Sequence, residues 1–214
     1  MNLPPRTIER LSKYRRLLEK YKISEGAFIF SHHLARLLNL TSVQVRRDLM
    51  LIGLSGNHRK GYNIKELVNL ISSTIDQEQG HNIAIVGMGN LGRAVTRFIR
   101  KNKTRMNIVA GFDIDEDKVG EEFEGVNCYL VDEISDYIRK LSVDMVILTA
   151  AAEAAQSLAD IVIESGVKGI LNFTSIHLDV PKDVYLKDYD IITSLEEIGF
   201  FIKNPDGVKT DGND

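Results

Sequence analysis

Gly87, Gly89 and Gly92 stand at the spacing G-x-G-x-x-G, after the apolar run Ile83–Val86 and just ahead of Arg93 and Ala94. A strand, a tight turn and a helix start in that order suit a pyrophosphate. Gly87 permits the turn, Gly89 lets the phosphates approach the backbone, and Gly92 allows the helix to pack closely on the strand. The new helix start adds free N–H groups and the positive end of its dipole. Phe112 and Asp113 close a second apolar run, with Asp113 lying 21 residues after Gly92. A carboxylate there accepts hydrogen bonds from both hydroxyls of an adenosine ribose and repels a 2′-phosphate, so the context favours NAD(H) over NADP(H). A coenzyme A or S-adenosylmethionine site on the same scaffold, or a glycine turn that binds nothing, stays open on these residues alone.

Turning a dinucleotide over would require a proton donor beside the nicotinamide and a substrate domain. About 100 residues follow Asp113, enough to complete a sheet and little more, and His177 is their only histidine. His177 is expected at a strand edge. With no acid/base pair in sight, the residues point to a dinucleotide that is read rather than used, and not to an enzyme.

A second group of residues has the chemistry of DNA recognition. Thr41 or Ser42 caps a helix that runs from Val43 to about Ile52. Val45, Leu49 and Ile52 fall on one face at spacings of four and three and turn inward. Ser42, Val43, Gln44, Arg46 and Arg47 spread over the outward faces. Arginine suits guanine or phosphate, glutamine suits adenine, and serine suits phosphate near the helix start. The glycine-bounded stretch Gly53–Tyr62 reads as a basic hairpin. In it His58, Arg59 and Lys60 straddle the DNA backbone, with Arg59 or Lys60 reaching a minor groove. A charged helix that is merely solvated is the alternative.

These two groups need two kinds of scaffold. Pro4 and Pro5 open a helix carrying Ile8, Leu11, Tyr14, Leu17 and Leu18 at helical spacing, and Lys22–Gly26 breaks it. Ser31 caps a short helix with Leu34, Ala35, Leu37 and Leu38, Asn39 and Leu40 make the turn, and Ile64–Ile75 forms a closing helix. Three helices, a basic hairpin and a further helix describe a winged helix-turn-helix. Beyond Gly80 the pattern changes to short apolar runs: Asn82–Val86, Ile108–Phe112, Met145–Thr149 and Gly169–Asn172. Helices Arg93–Lys101 and Ala154–Ser165 separate them, as in a parallel, doubly wound sheet. A last helix, Ser194–Lys203, carries Leu195, Ile198, Phe201 and Ile202, and a polar tail predicted to be disordered follows. The fold class is therefore α/β, a winged helix over 1–80 followed by a Rossmann domain over 81–193.

Charge supports the division. Residues 1–80 hold 13 Lys+Arg against 7 Asp+Glu, or +6, whereas the rest hold 14 against 23, or −9. A basic front half suits a nucleic-acid reader, and a solvated basic surface suits the numbers equally well. The single cysteine, Cys128, cannot close an internal disulfide and is expected as a small buried residue in a strand. No apolar run has the length of a membrane span, and Met1–Arg6 lacks the features of a signal peptide, so the expected location is cytoplasmic, with neither membrane nor metal as a partner.

At Ser42–Leu49 and Gly87–Ala94 the chain resembles the Rex family of redox-sensing transcriptional repressors. The resemblance extends over nearly the whole length. It includes Gly61–Asn63, Phe112–Asp115 with Lys118–Gly120, Ala152–Gln156 and Gly166–Phe173. It implies a homodimer that represses by binding operator DNA and is released when NADH rises relative to NAD+, with the final helix, 194–204, domain-swapped between partners. It also implies that Gly87, Met88, Gly89, Asn90, Leu91, Gly92, Asp113, Lys118, Thr149, Ala150, Ala151 and Glu153 hold the cofactor. On the DNA side it implies Ser42, Gln44, Arg46, Arg47, Arg59, Lys60 and Tyr62. Arg16 matches a family arginine that pairs across the interface with an aspartate, here Asp190. Phe98 stands where the family usually has a tyrosine that exchanges partners with that aspartate. Arg59 replaces a wing glycine, and Ala151 and Ser175 replace prolines in two loops at the nicotinamide end.

Overall fold

The computed structural model describes residues 3–20, 27–57, 59–76, 79–102 and 105–204. The expected helix break at Lys22–Gly26, the wing residue His58 and the tail 205–214 lie outside the described residues. The chain divides into two units, one of residues 1–77 together with those from 199 onward, the other of residues 78–198.

In the first unit, Leu11, Tyr14 and Leu18 recur every three or four residues, so α1 (Pro5–Lys20) presents one apolar stripe and buries it completely. α2 (Ser31–Leu38) ends at Asn39, whose φ of 53° turns the chain sharply into α3. Ser31 does not cap α2, contrary to expectation: it is the first helical residue, and Phe30 occupies the cap position without a side-chain bond. Thr41 caps α3 (Ser42–Leu51) by accepting the Gln44 N–H. Val45, Leu49 and Ile52 are buried, as their spacing predicts. The expected hairpin proves smaller. Its arms meet in one bridge, Asn57 to Gly61. Tyr62–Asn63 (β2) pairs instead, antiparallel, with Phe28–Ile29 (β1). Asn63 then caps α4 (Ile64–Ile75) at Glu66. This is a winged helix-turn-helix.

The second unit is built on β3 (His81–Val86), β4 (Met106–Asp113), β5 (Glu122–Phe123), β6 (Val126–Leu130), β7 (Met145–Leu148), β8 (Gly169–Asn172) and β9 (Tyr185–Asp188). They lie in the order β5-β6-β4-β3-β7-β8-β9, parallel throughout except at β5. From β6 to β9 this is the 3-2-1-4-5-6 order of the Rossmann fold, and it reverses direction between β3 and β7. Ligands of such sheets bind in the crevice outside the carboxyl ends of the strands at that reversal. β9 and helix α6 (Ile134–Lys140) were not legible as elements in the sequence, and β6 was marked there only by Cys128. Helix α5 (Asn90–Lys101) starts three residues earlier than expected and α7 (Ala152–Glu164) two.

The central strands are apolar on both faces because both are covered. Ala84, Val86, Phe112, Val146 and Leu148 join one core with α6 and α7. Ile83, Ile85, Ile108, Cys128 and Ile147 join the other with Val95 and Ile99 of α5. Cys128 is 3% exposed in β6, as its residue type predicts. The last helix, α8, runs Ile191–Lys203 and contains no buried residue. Its start lies three residues before the expected Ser194.

Candidate functional site

The phosphate turn owes its shape to three positions where a side chain has no room or must leave room. Gly87 has φ +101°, and a Cβ there would lie 2.7 Å from the Thr149 backbone carbon. A Cβ on Gly92 would strike the Gly87 carbonyl oxygen. Around Gly89, by contrast, nothing lies within 4 Å of where a Cβ would stand. That opening is a cradle at the start of α5. Gly89 is the cap residue and has no side chain to satisfy the first amides of α5, which remain open to an anion. Thr149 Oγ1 donates to the Gly87 carbonyl at 2.7 Å and fixes the turn from β7. Arg93 Nε donates to the Met88 carbonyl, and its Nη2 pairs with Glu121 at 2.8 Å. The Met88 side chain is buried against Gly111, so only its backbone is available to a ligand.

Asp113 ends β4, 7% exposed, beside the turn. Its carboxylate is not bare, a feature the sequence reading missed. Oδ1 accepts the Asp115 N–H at 3.1 Å, and Oδ2 accepts Lys118 Nζ at 3.1 Å, while Lys118 also reaches Asp115 at 3.2 Å. Desolvation acts to lower the Lys118 pKa, but the bonds to Asp113 and Asp115 outweigh it and hold the ammonium above the ordinary lysine range. The trio still carries one net negative charge, and each Asp113 oxygen keeps a lone pair for a ribose hydroxyl. Thr149, Ala150 and Ala151 follow the end of β7, next to the end of β3, and Glu153 sits exposed in the first turn of α7. The topology thus brings the expected cofactor residues to the carboxyl ends of the central strands β3, β4 and β7, and their chemistry fits a dinucleotide.

Asn172, which sequence reasoning passed over, is 1% exposed at the end of β8. Its Nδ2 donates to the Ile176 carbonyl and to Asp188, each at 2.8 Å, and its Oδ1 accepts from Thr174. It organises the loop that holds Ser175. His177 lies in this loop, not at a strand edge, and its Nδ1 meets Asp188 at 2.8 Å.

On the DNA side, Arg46 and Arg47 are exposed on α3, and so are Arg59 and Lys60, whose N–H groups both donate to Asn57 Oδ1. Ser42 and Gln44 are half-buried. Gln44 is tied inward, its amide donating to Asp48 at 3.1 Å. Tyr62 is 7% exposed and belongs to the core, so its ring shapes the wing from beneath. Burial raises the Tyr62 pKa, and the charge of Arg46 opposes the shift.

Asp48 was also missed. It is fully buried and accepts from Arg10 Nε at 2.6 Å, Arg10 Nη2 at 2.8 Å and the Tyr14 hydroxyl at 2.7 Å. The signal was present: Asp48 falls within the inward stripe of Val45, Leu49 and Ile52, and a carboxylate there demands a cation.

Of the three expected switch residues, Arg16 is exposed on α1 and Phe98 is 68% exposed on α5. Asp190 has a structural duty that the sequence did not reveal. It caps α8, Oδ1 accepting the Thr193 N–H at 3.0 Å and Oδ2 its hydroxyl at 2.6 Å. These bonds hold its carboxyl below the usual carboxylate range.

A winged helix with an arginine-bearing reading helix, joined to a Rossmann domain with a dinucleotide-type phosphate turn, defines a nucleotide-sensing DNA-binding regulator. Residues 2–49 match the family model of a putative DNA-binding protein N-terminus, and residues 78–176 match that of a CoA binding domain. The redox-sensing transcriptional repressor Rex of Exiguobacterium sibiricum is 36% identical over 214 residues, covering 97% of each chain. That of Listeria welshimeri is 34% identical over 202 residues, covering 94% of each. The crystal structure of RSP, a Rex-family repressor, is 30% identical with TM-score 0.84 over 96% of each chain. RSP in complex with β-NAD+ and operator DNA gives TM-score 0.87 over 96% of this chain and 95% of that one. The chain belongs to the Rex family of redox-sensing transcriptional repressors. Its Rossmann domain therefore belongs to a repressor and not to a dehydrogenase.

Proposed function

We propose that the protein is a homodimeric repressor that holds operator DNA through its winged helix and releases it when NADH occupies the crevice at the carboxyl ends of β3, β4 and β7. One observation carries this reading. A phosphate turn open at Gly89, with an acid at the end of the next strand, shares a chain with a helix-turn-helix that exposes Arg46 and Arg47. Gly87, Met88, Gly89, Asn90, Leu91 and Gly92 hold the pyrophosphate through backbone amides. Asp113, steadied by Lys118, takes the adenosine ribose, and Thr149, Ala150, Ala151 and Glu153 border the nicotinamide end. The same carboxylate disfavours coenzyme A, whose ribose carries a phosphate. The solved complexes of RSP, one with β-NAD+ and operator DNA and one with β-NADH, support both halves of the reading.

Residues 1–80 are the reader, 81–193 the sensor, and α8 the dimerising element. Along α8, Ile191, Leu195, Ile198 and Ile202 stand exposed at spacings of four, three and four, a stripe suited to cover by exchange with a second copy. Ser42, Arg46, Arg47, Arg59 and Lys60 meet the duplex, with Gln44 and Tyr62 set behind them. Arg16 and Asp190 of different protomers pair in the DNA-holding arrangement, and Phe98 lies at that contact. A repressor of operators works in the cytoplasm. Among the described residues no helix is long and apolar enough to cross a membrane, and no three His, Cys, Asp or Glu side chains gather as metal ligands. The reading calls for neither partner.

The test is operator binding by fluorescence anisotropy, with NADH and NAD+ titrated separately. NADH is expected to weaken DNA binding more than NAD+ does, since an effector acts only through its differential affinity for the two arrangements. Binding indifferent to both nucleotides would sink the sensor.

A further inference from the structure

Between α3 and the wing lies a cleft of about 340 Å³, within the ~300–1,000 Å³ range of small-ligand sites. Arg46, Met50, Ser31, Ser55, Asn57 and Tyr62 supply the side chains that matter in its lining. We propose that this cleft seats one sugar–phosphate segment of the duplex. In it Arg46, Ser31, Ser55 and Asn57 take the phosphate, and exposed Met50 takes the deoxyribose over a floor backed by the buried Tyr62 ring. The proposal rests on the DNA-binding reading above and assigns Arg46 to the backbone, which leaves base recognition to Arg47.

The lining has the chemistry of an anion site. It contains one cation and no carboxylate, and every polar side chain in it can donate. The Asn57 carbonyl oxygen is already used by the Arg59 and Lys60 amides, which leaves its NH2 group as the free end. Arg46 Nη1 donates to Ser31 Oγ at 3.4 Å, which turns the guanidinium toward the α2 side of the cleft. Its charge is felt at the Tyr62 hydroxyl, on the cleft's inner side. The Phe30 side chain at the cap position of α2 offers no acceptor, and its carbonyl takes the His33 and Leu34 amides, so only the Ser31 and His32 amides at that helix start lack a cap.

Position supplies the second argument. α3 forms one wall, and the wing whose tip carries Arg59 and Lys60 forms another. When a recognition helix enters a major groove and a wing reaches the adjacent minor groove, the strand between the two grooves must cross whatever separates helix from wing. A free anion would leave exposed Met50, and the apolar floor behind it, unused. A nucleotide backbone brings the apolar sugar face that matches them.

Two substitutions test the seat without touching the core, since Arg46 is exposed and Met50 is 68% exposed. Arg46→Ala and Met50→Glu are measured against a duplex enriched by the wild-type protein from a randomised pool and against a scrambled duplex of equal length. Thermal unfolding serves as the folding control. Each variant is expected to lose affinity for both duplexes by the same factor. For Arg46→Ala the slope of log K against log salt becomes shallower by about 0.9, so the wild-type advantage shrinks about 3.5-fold between ~50 and ~200 mM salt. Inorganic phosphate at constant ionic strength is expected not to compete. A loss confined to the enriched duplex makes Arg46 a base reader and overturns the seat. Unchanged binding by Met50→Glu, or displacement of DNA by inorganic phosphate, overturns it as well. A wild-type protein that binds neither duplex would bring down the DNA-binding reading itself, an outcome separate from these.

Discussion

Replacing Asp48 by alanine should weaken both the reading domain and its grip on DNA. The substitution strands three partners, of which Gln44 is only half-buried and can turn to water. The Tyr14 hydroxyl, on a fully buried residue, loses its acceptor, and Arg10, its side chain 19% exposed, loses a two-pronged carboxylate. An orphaned buried hydroxyl costs about 1–3 kcal/mol, and breaking a buried ion pair about 3–5 kcal/mol. Arg10 retains some access to water, which places the sum at about 3 kcal/mol. For a unit of this size that is a fall of roughly 12–24 °C in Tm. Tyr14→Phe alone should cost about 1 kcal/mol. The double replacement Arg10→Met with Asp48→Leu should recover the share of the loss that comes from stranding Arg10, because apolar residues need no partners, but not the share of the Tyr14 hydroxyl.

The effect also has a pH signature. Burial acts to raise the Asp48 pKa, but hydrogen bonds from Arg10, Tyr14 and Gln44 outweigh it and hold the carboxyl below its ordinary 3.8. A depressed carboxyl stabilises the fold above its unfolded pKa, and that contribution fades as pH falls through the folded one. The gap between wild type and Asp48→Ala should therefore be full at neutral pH and close only as pH drops below 3.8. Thermal denaturation followed by circular dichroism across pH measures it. A loss under about 0.5 kcal/mol, no larger than an ordinary surface substitution, would refute the bracing role of Asp48. So would a gap that stays constant into strong acid.

Three further outcomes are expected. The wild-type protein should bind NADH well ahead of NADPH, read by the intrinsic fluorescence of the nucleotide. Asp113→Ala should weaken NADH roughly 10–100-fold, the worth of a charged hydrogen bond, and narrow the gap; equal wild-type affinities would remove the ribose role. A chain ending at Thr193 should fail to form a stable dimer in sedimentation, and a soluble, NADH-responsive dimer lacking those residues would show that α8 does not make the interface. Phe98→Tyr restores a hydroxyl that a phenyl ring cannot offer to Asp190 and should raise the ratio of DNA affinities measured without and with saturating NADH. Asp190→Asn keeps an acceptor at the α8 cap but removes the charge, so it should lower that ratio while changing Tm little. An unchanged ratio in both would exclude Asp190 as the switch partner.

The sequence alone located the elements whose environment is uniform or whose geometry is local. β3, β4, β7 and β8 could be read because a strand covered on both faces is apolar at nearly every position. The phosphate turn could be read because Gly87, Gly89 and Gly92 answer to steric limits set within a few residues and by the neighbouring strand. The α3 stripe of Val45, Leu49 and Ile52 could be read because one helix repeat fixes which residues turn inward. Edge elements could not. β9 shows little burial, and β1 and β2 are two residues each, so neither periodicity nor hydrophobicity marks them. Only the tertiary structure decided which polar residues are paired inside. Asp48 meets Arg10 across 38 positions of chain, and Asn172 meets Asp188 across 16. Nothing within a helical turn or a strand repeat ties such residues together, and burying a polar group is tolerable only when a distant partner arrives to satisfy it.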